Sequence, residues 1–172
     1  MSDSSLTNED AKVITLRPAT VDDEAFLFEL YASTRNDELA ALGWNDQQRE
    51  TFLRMQYDMQ RRVYPEADNY IVLLQGREVG RFLSKRSEQE FHLVDITILP
   101  EFRNHGIGTK VIRDHQEEAS LNAKPIRLHV LASNFAKRLY ERLGFVLIDG
   151  DDADISGAKA YLHMIWVPPT TP

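Results

Sequence analysis

Apolar residues recur along this chain at two spacings, and the points where the spacing changes mark out its elements. Val13 to Arg17 reads as a strand stopped by Pro18, and Thr20 with Asp23 three residues on signs a helix start that runs to Ser33. Phe26, Leu27, Leu30 and Tyr31 give that helix an apolar face. Asn45 with Gln48 signs a second, longer helix to about Arg62, in which Phe52, Leu53, Met55, Gln56 and Met59 recur at helical spacing. Phe52 and Met55 are therefore expected in the core. Tyr70 to Leu74, a Gln75-Gly76 turn and Val79 to Ser84 form a hairpin, and Phe91 to Ile98 adds a third antiparallel strand. A helix from about Gly108 to Asn122, a strand from Ile126 to Leu131, a helix from Asn134 to Leu143 and a closing pair, Phe145 to Ile148 with Tyr161 to Val167, complete the series.

The resulting order, β-αα-βββ-α-β-α-ββ, predicts a mixed α/β domain of about seven strands, mostly antiparallel, and about four helices, with one strand-helix-strand crossover in the middle. The expected division is an N-terminal tail over 1–12, one domain over 13–167 and a C-terminal tail over 168–172. With 172 residues, 42% of them hydrophobic, such a domain needs no disulfide or metal to hold its core. The absence of cysteine excludes disulfides, thiolate metal sites and acyl transfer through a cysteine. A net charge of −7 argues against nucleic-acid binding and mildly favours a cationic partner. No apolar run reaches membrane-span length, and a cytoplasmic protein is expected.

Candidate chemistry begins where the third strand of the central group meets a helix. Ile98-Leu99-Pro100-Glu101-Phe102-Arg103-Asn104-His105-Gly106-Ile107-Gly108-Thr109 puts a strand, a glycine-bearing loop and a helix start in succession. Glycine lets the backbone approach a ligand, and amides at a helix start point at an anion, so a phosphate or pyrophosphate is implied. A dinucleotide fingerprint fails because Val111 stands where its third glycine belongs, and the Gly-Lys-Ser/Thr of a P-loop is missing.

Arg103-x-x-Gly106-x-Gly108, preceded by Asp95-Ile96-Thr97-Ile98, resembles the Q/R-x-x-G-x-G/A signature of the GNAT N-acetyltransferases. Asn134 to Phe145 is similar to a second segment of that family, N-x-x-A-x-x-L-Y-E-x-x-G-F. The resemblance implies a twisted sheet with helices on both faces, splayed at the cofactor site, and acetyl-CoA as co-substrate. It assigns the pyrophosphate to Arg103, Asn104, His105, Gly106, Ile107, Gly108 and Thr109, the pantetheine arm to the backbone of Ile96, Thr97 and Ile98, and a cofactor contact to Asn134. It assigns Tyr140 to the departing thiolate. Asn134 lies six residues before Tyr140, whereas many relatives space the pair by seven. On the helix itself, Phe135, Leu139 and Leu143 form the expected core stripe, and Ala136 leaves room beside Tyr140.

The implied activity is acetyl transfer to a primary amine by direct attack in a ternary complex. The alternative is an acyl-CoA-binding module without turnover. An alkylammonium with a pKa of about 10.4 must lose a proton before it attacks. His129, Asp95 and His92 are the candidate acceptors, beside ordered water. Ile126, Leu128 and Val130 alternate as the buried side of their strand and leave His129 on the other face, at a position where some relatives carry a glutamate base. Asp95 interrupts an apolar run, where a carboxylate must be paired, hydrated or functional. Tyr31 and Trp44 are the candidates for acceptor binding, Trp44 because it lies in a turn between helices. In Asp149 to Gly157, Asp152, Asp154, Ser156 and Gly157 fit the first half of a calcium loop that begins at Asp152, but His163 stands at its twelfth position, so no metal is expected. His115 is expected to be a satisfied, partly buried residue. The partners expected are a small-molecule or protein amine and, for assembly, a second copy of the chain as a homodimer.

Overall fold

The computed structural model describes residues 13–148 and 161–170. Its strands are β1 (Ile14–Pro18), β2 (Asp68–Leu74), β3 (Arg77–Arg86), β4 (Phe91–Ile98), β5 (Ile126–Leu131), β6 (Val146–Leu147) and β7 (Tyr161–Trp166). They form one sheet in the order β1-β2-β3-β4-β5-β7-β6. Only the β4–β5 pair is parallel, as the central crossover requires. The helices are α1 (Glu24–Ser33), α2 (Asn36–Ala40), α3 (Asp46–Arg61), α4 (Ile107–Leu121) and α5 (Ala136–Arg142). The sequence pattern predicts four of these. α2 has five residues and buries only Leu39, too little to leave a periodic signature. No helix among the described residues is long and apolar enough to cross a membrane.

Both predicted helix starts form. Asn45 Oδ1 accepts from the Gln48 amide at 2.9 Å while Gln48 Oε1 accepts from the Asn45 amide at 3.0 Å, which caps α3. Asp23 accepts from the Thr20 amide at 2.7 Å and pairs with both terminal nitrogens of Arg17 at 2.7 and 2.8 Å. The Arg17 guanidinium first, and the Thr20 amide second, hold the Asp23 carboxyl far below the usual carboxylate range. This pair ties the end of β1 to the start of α1.

The sheet has a core on each face. Alternation sends Ile71 of β2 to one side and its neighbour Val72 to the other. Phe82, Leu93, Leu128 and Met164 pack with Val111 and Ile112 of α4 and with Tyr140 of α5. Leu27, Tyr31, Leu39, Leu53, Tyr57 and Ile71 form the second core, under α1, α2 and α3. Each fully buried aliphatic or aromatic side chain contributes about 1.5–3 kcal/mol of hydrophobic stabilisation.

Three expectations about packing are corrected. Met55 is 53% exposed, because α3 buries only the narrow Leu53–Tyr57 stripe against α1 and the sheet. Phe135 is 86% exposed, because α5 begins at Ala136 and leaves Phe135 at its cap; Leu139 and Leu143 do pack on the core. His115 is more deeply buried than expected and is not fully satisfied. Its ring lies between Phe82 and Phe91, Nε2 is 3.2 Å from Ser84 Oγ, and Nδ1 makes no hydrogen bond but lies 3.5 Å from Glu118 Oε2. Burial above all, with the nearby Arg86 guanidinium, lowers its pKa to about 4.

Candidate active site

The sheet parts in its middle. β4 and β5 are paired only at Phe91 with Ile126, His92 with Arg127 and Leu93 with Leu128, although β4 runs on to Ile98 and β5 to Leu131. The cause lies in the β3–β4 register, where Ser84 faces Leu93 but Leu83 faces Asp95, so Val94 is an extra residue. Such a bulge bends its strand. It also shifts the alternation, so that Ile96 and Ile98 join Leu93 on the α4 face while Asp95 and Thr97 line a recess with α1. β3 follows the bent strand closely: a Cβ on Gly80 would collide with the Thr97 carbonyl oxygen.

Beyond Ile98 the chain makes a tight turn over Pro100–Phe102 and enters the loop that starts α4. Arg103 Nε donates to the Ile98 carbonyl at 2.9 Å and braces the strand end. Asn104 and Gly106 both have positive φ, 61° and 78°. A Cβ on Gly106 would meet nothing within 4 Å, so the space beside the helix start is open. The first bond of the helix runs from the Lys110 amide to the Gly106 carbonyl, which leaves the Ile107, Gly108 and Thr109 amides without an intrahelical acceptor. No acidic side chain occupies the first turn. Amides, dipole and open space fit an anion of pyrophosphate type.

α5 lies on the same face and supplies Tyr140. Gln116 Nε2 donates to the Leu143 carbonyl at 2.8 Å and locks α5 to α4. Asn134 uses Oδ1 to accept the Ala136 amide at 2.9 Å, so it caps α5 and keeps its side-chain N–H donors. Tyr140 is buried, its ring 5.7 Å from that of Phe145, and its hydroxyl makes no hydrogen bond among the described residues. Burial, and secondly the negative charge of Asp95, push the phenol well above its ordinary range.

On the opposite face the predicted residues fall into separate groups. Asp95 is paired with Arg81 at 2.8 Å and accepts from Thr97 Oγ1 at 2.9 Å. Tyr31 lines the same recess, with Leu27, Leu30 and Thr34. Trp44 does not. It stands against Phe52, ring centroids 5.1 Å apart, in a different groove of about 590 Å³ along α3. His129 Nδ1 lies 3.3 Å from His92 Nε2, and the His163 ring is 4.0 Å from that of His129. Tyr64 meets the edge of this group at His92. Burial above all holds the His92 imidazole below its ordinary range, with Lys85 and His163 adding to the effect and Glu90 opposing it.

Arg81 and His163 were missed from the sequence. His163 joins His129 only through the β5–β7 register, in which the two are direct partners. Arg81 carried a partial signal, a charged residue next to Phe82 on a hairpin strand, but a register shift that makes Val79 an extra residue hides which face it takes. No group of three or more His, Asp or Glu among the described residues has the arrangement of a metal site. The Asp149 to Gly157 segment lies outside the described residues.

The model of the "Acetyltransferase (GNAT) domain" family matches residues 36–164. No curated protein sequence matches the chain. Among solved structures it is similar to the PaiA N-acetyltransferase from Thermoplasma acidophilum in complex with coenzyme A, with TM-score 0.65 and 16% identity over 90% of this chain and 99% of that one. It is similar to the ribosomal-protein-S18-alanine N-acetyltransferase from Escherichia coli, with TM-score 0.61 and 16% identity over 93% and 97% of the two chains. An acetyltransferase from Thermus thermophilus aligns with TM-score 0.62 and 18% identity over 90% and 97%. At these identities the solved structures establish the mixed α/β fold, and the family match together with the parted sheet and its glycine-turned helix start shows that the chain belongs to the GNAT acetyltransferases.

Proposed function

We propose that the protein is an N-acetyltransferase that moves an acetyl group from acetyl-CoA to a primary amine by direct attack in a ternary complex. The observation that carries this reading is the opening between β4 and β5, with the Ile107, Gly108 and Thr109 amides left without intrahelical acceptors at the α4 start and Tyr140 buried on the same face of the sheet. Ile107, Gly108 and Thr109 offer their amides to the pyrophosphate, Gly106 keeps that space clear, and Arg103, Asn104 and His105 shape the loop around it. The backbone of Ile96, Thr97 and Ile98 lacks a β5 partner and offers its polar groups to the pantetheine arm. The N–H donors of Asn134 remain for a further contact.

The co-substrate brings an acyl carbonyl activated as a thioester. As the amine attacks, a C–N bond forms and the C–S bond breaks. The amine proton passes through ordered water to the imidazole pair of His129 and His92, whose 3.3 Å separation lets one nitrogen stabilise the charge gained by the other. Tyr140 supports the leaving sulfur. A phenol pKa of about 10 already exceeds a thiol pKa of about 8.5, so complete proton transfer to the thiolate is uphill by ~2 kcal/mol. Burial raises the phenol further, so Tyr140 stays protonated and acts by donating a hydrogen bond to the developing thiolate.

Tyr140→Phe tests this. It should lower turnover on the order of 10²-fold and leave acetyl-CoA affinity nearly unchanged, because the donor is needed mainly as charge develops. Wild-type turnover in a folded Tyr140→Phe protein, measured where chemistry limits the rate, removes Tyr140 from the mechanism.

A further inference from the structure

Asp95 is held asymmetrically. Arg81 Nε at 3.3 Å, Arg81 Nη2 at 2.8 Å and Thr97 Oγ1 at 2.9 Å all donate to its Oδ2. Oδ1 accepts no hydrogen bond among the described residues. The Arg81 side chain is only 12% exposed, whereas that of Asp95 is 31% exposed. The carboxylate is thus fixed from within by one oxygen and presents the other outward. A buried guanidinium has this fork geometry available, and a lysine does not.

The recess in front of this pair encloses about 20 Å³, room for one water-sized group, and its remaining walls are Leu27, Leu30, Tyr31, Thr34 and Thr97. An amine head is of that size, and a secondary or branched amine is larger. Asp95 follows the bulge directly, so the recess opens beside the point where β4 leaves β5.

The geometry points to an amine receptor in which Asp95 Oδ1 accepts an N–H of an unhindered primary amine and Arg81 is the positioning residue that aims it. The assignment rests on the transferase reading and adds the acceptor's class to it: a slender primary alkylamine whose head enters the recess. Because Arg81 cancels the charge of Asp95, selection comes from size and hydrogen bonding more than from net attraction. Arg81 does not touch the reacting atoms, and its effect passes through Asp95.

A double-mutant cycle with n-butylamine as acceptor tests this in the full chain. Arg81→Met should lower kcat/KM for the amine about tenfold and Asp95→Asn by at least as much, while the double variant is no worse than Asp95→Asn alone. Arg81→Lys should restore part of the loss, and every variant should keep its stabilisation by acetyl-CoA. Additive losses, or an Arg81→Met protein with wild-type kcat/KM, overturn the proposal while leaving the transferase reading intact. If Arg81→Met does not fold, the cycle of Arg81→Lys with Asp95→Asn decides by the same criterion. A second arm needs no turnover. In protein labelled with carboxyl-13C aspartate and saturated with coenzyme A, n-butylammonium should shift the Asp95 resonance saturably, and about tenfold more weakly in Arg81→Met. A silent Asp95 resonance, or unchanged or tighter binding in Arg81→Met, overturns the receptor. Saturable binding without any acetyl transfer supports the receptor and removes the transferase reading instead.

Discussion

The two faces of the sheet solve different problems. On the face of α4 and α5, the groups suited to a cofactor are main-chain ones: amides at a helix start, a glycine at φ 78°, and a strand end left without a β5 partner. Around them the core is closed, with Val111, Ile112 and Leu128 at 1% exposure or less. On the face of α1 to α3 the corresponding groups are side chains, Asp95, Arg81, Tyr31, His92, His129 and His163, drawn from five elements and left partly open. A backbone site depends on a short local motif. A side-chain site depends on register between distant strands, and can be retuned by single substitutions without disturbing the cofactor side.

The largest expected effect strikes the backbone site. Gly106→Val should abolish the rise in melting temperature that acetyl-CoA gives the wild-type protein, since the side chain enters open space beside the α4 amides at a φ that β-branched residues avoid. An unchanged shift in a folded variant breaks the comparison at its first term.

The next effect belongs to the closed core. Well above pH 6.5 His115 is neutral in both the folded and the unfolded chain. Below that, the unfolded chain takes up a proton that the buried ring refuses until about pH 4, so stability falls as pH falls through this window. The loss approaches ~3 kcal/mol by pH 4. Urea unfolding of wild type against His115→Phe across pH 4–7 measures it, and the variant should show the shallower dependence.

A smaller effect is expected on the open face. His129→Gln should reduce turnover on the order of tenfold at neutral pH, with the deficit shrinking as pH rises toward the pKa of the amine and the solvent removes its proton. A loss that is equal at all pH values assigns His129 a structural role. The smallest effect returns to the helix start. A Cβ on Gly108 would sit 3.7 Å from Leu139 Cδ2, an ordinary contact, so Gly108→Ala should leave both stability and the acetyl-CoA shift nearly unchanged.

The same contrast explains what could be read from the chain. The central crossover, both capping boxes, the glycine-bearing loop before α4 and the helix that carries Tyr140 follow from spacings of a few residues, and the structure has each of these elements in place. The outward face of His129 followed from alternation with Leu128 and Val130. The bulge at Val94 did not, because it is a property of the β3–β4 pairing and not of β4 alone. Neither did the contact of His129 with His92 and His163, which lie 37 positions before it and 34 after it and meet only through the β4–β5–β7 order. Met55 and Phe135 went astray for different reasons: helical periodicity marks apolar positions on α3 without fixing how wide a stripe is covered, and on α5 it does not fix the first residue, which leaves Phe135 at the cap.

The most direct test of the central claim is thiol release from acetyl-CoA by the wild-type protein, followed across a panel of primary amines with mass detection of the acetylated product. Amine-dependent release with one acetyl group added per coenzyme A formed is the predicted result. Stabilisation by acetyl-CoA with no acceleration by any amine would contradict the account and make the chain an acyl-CoA-binding module without turnover.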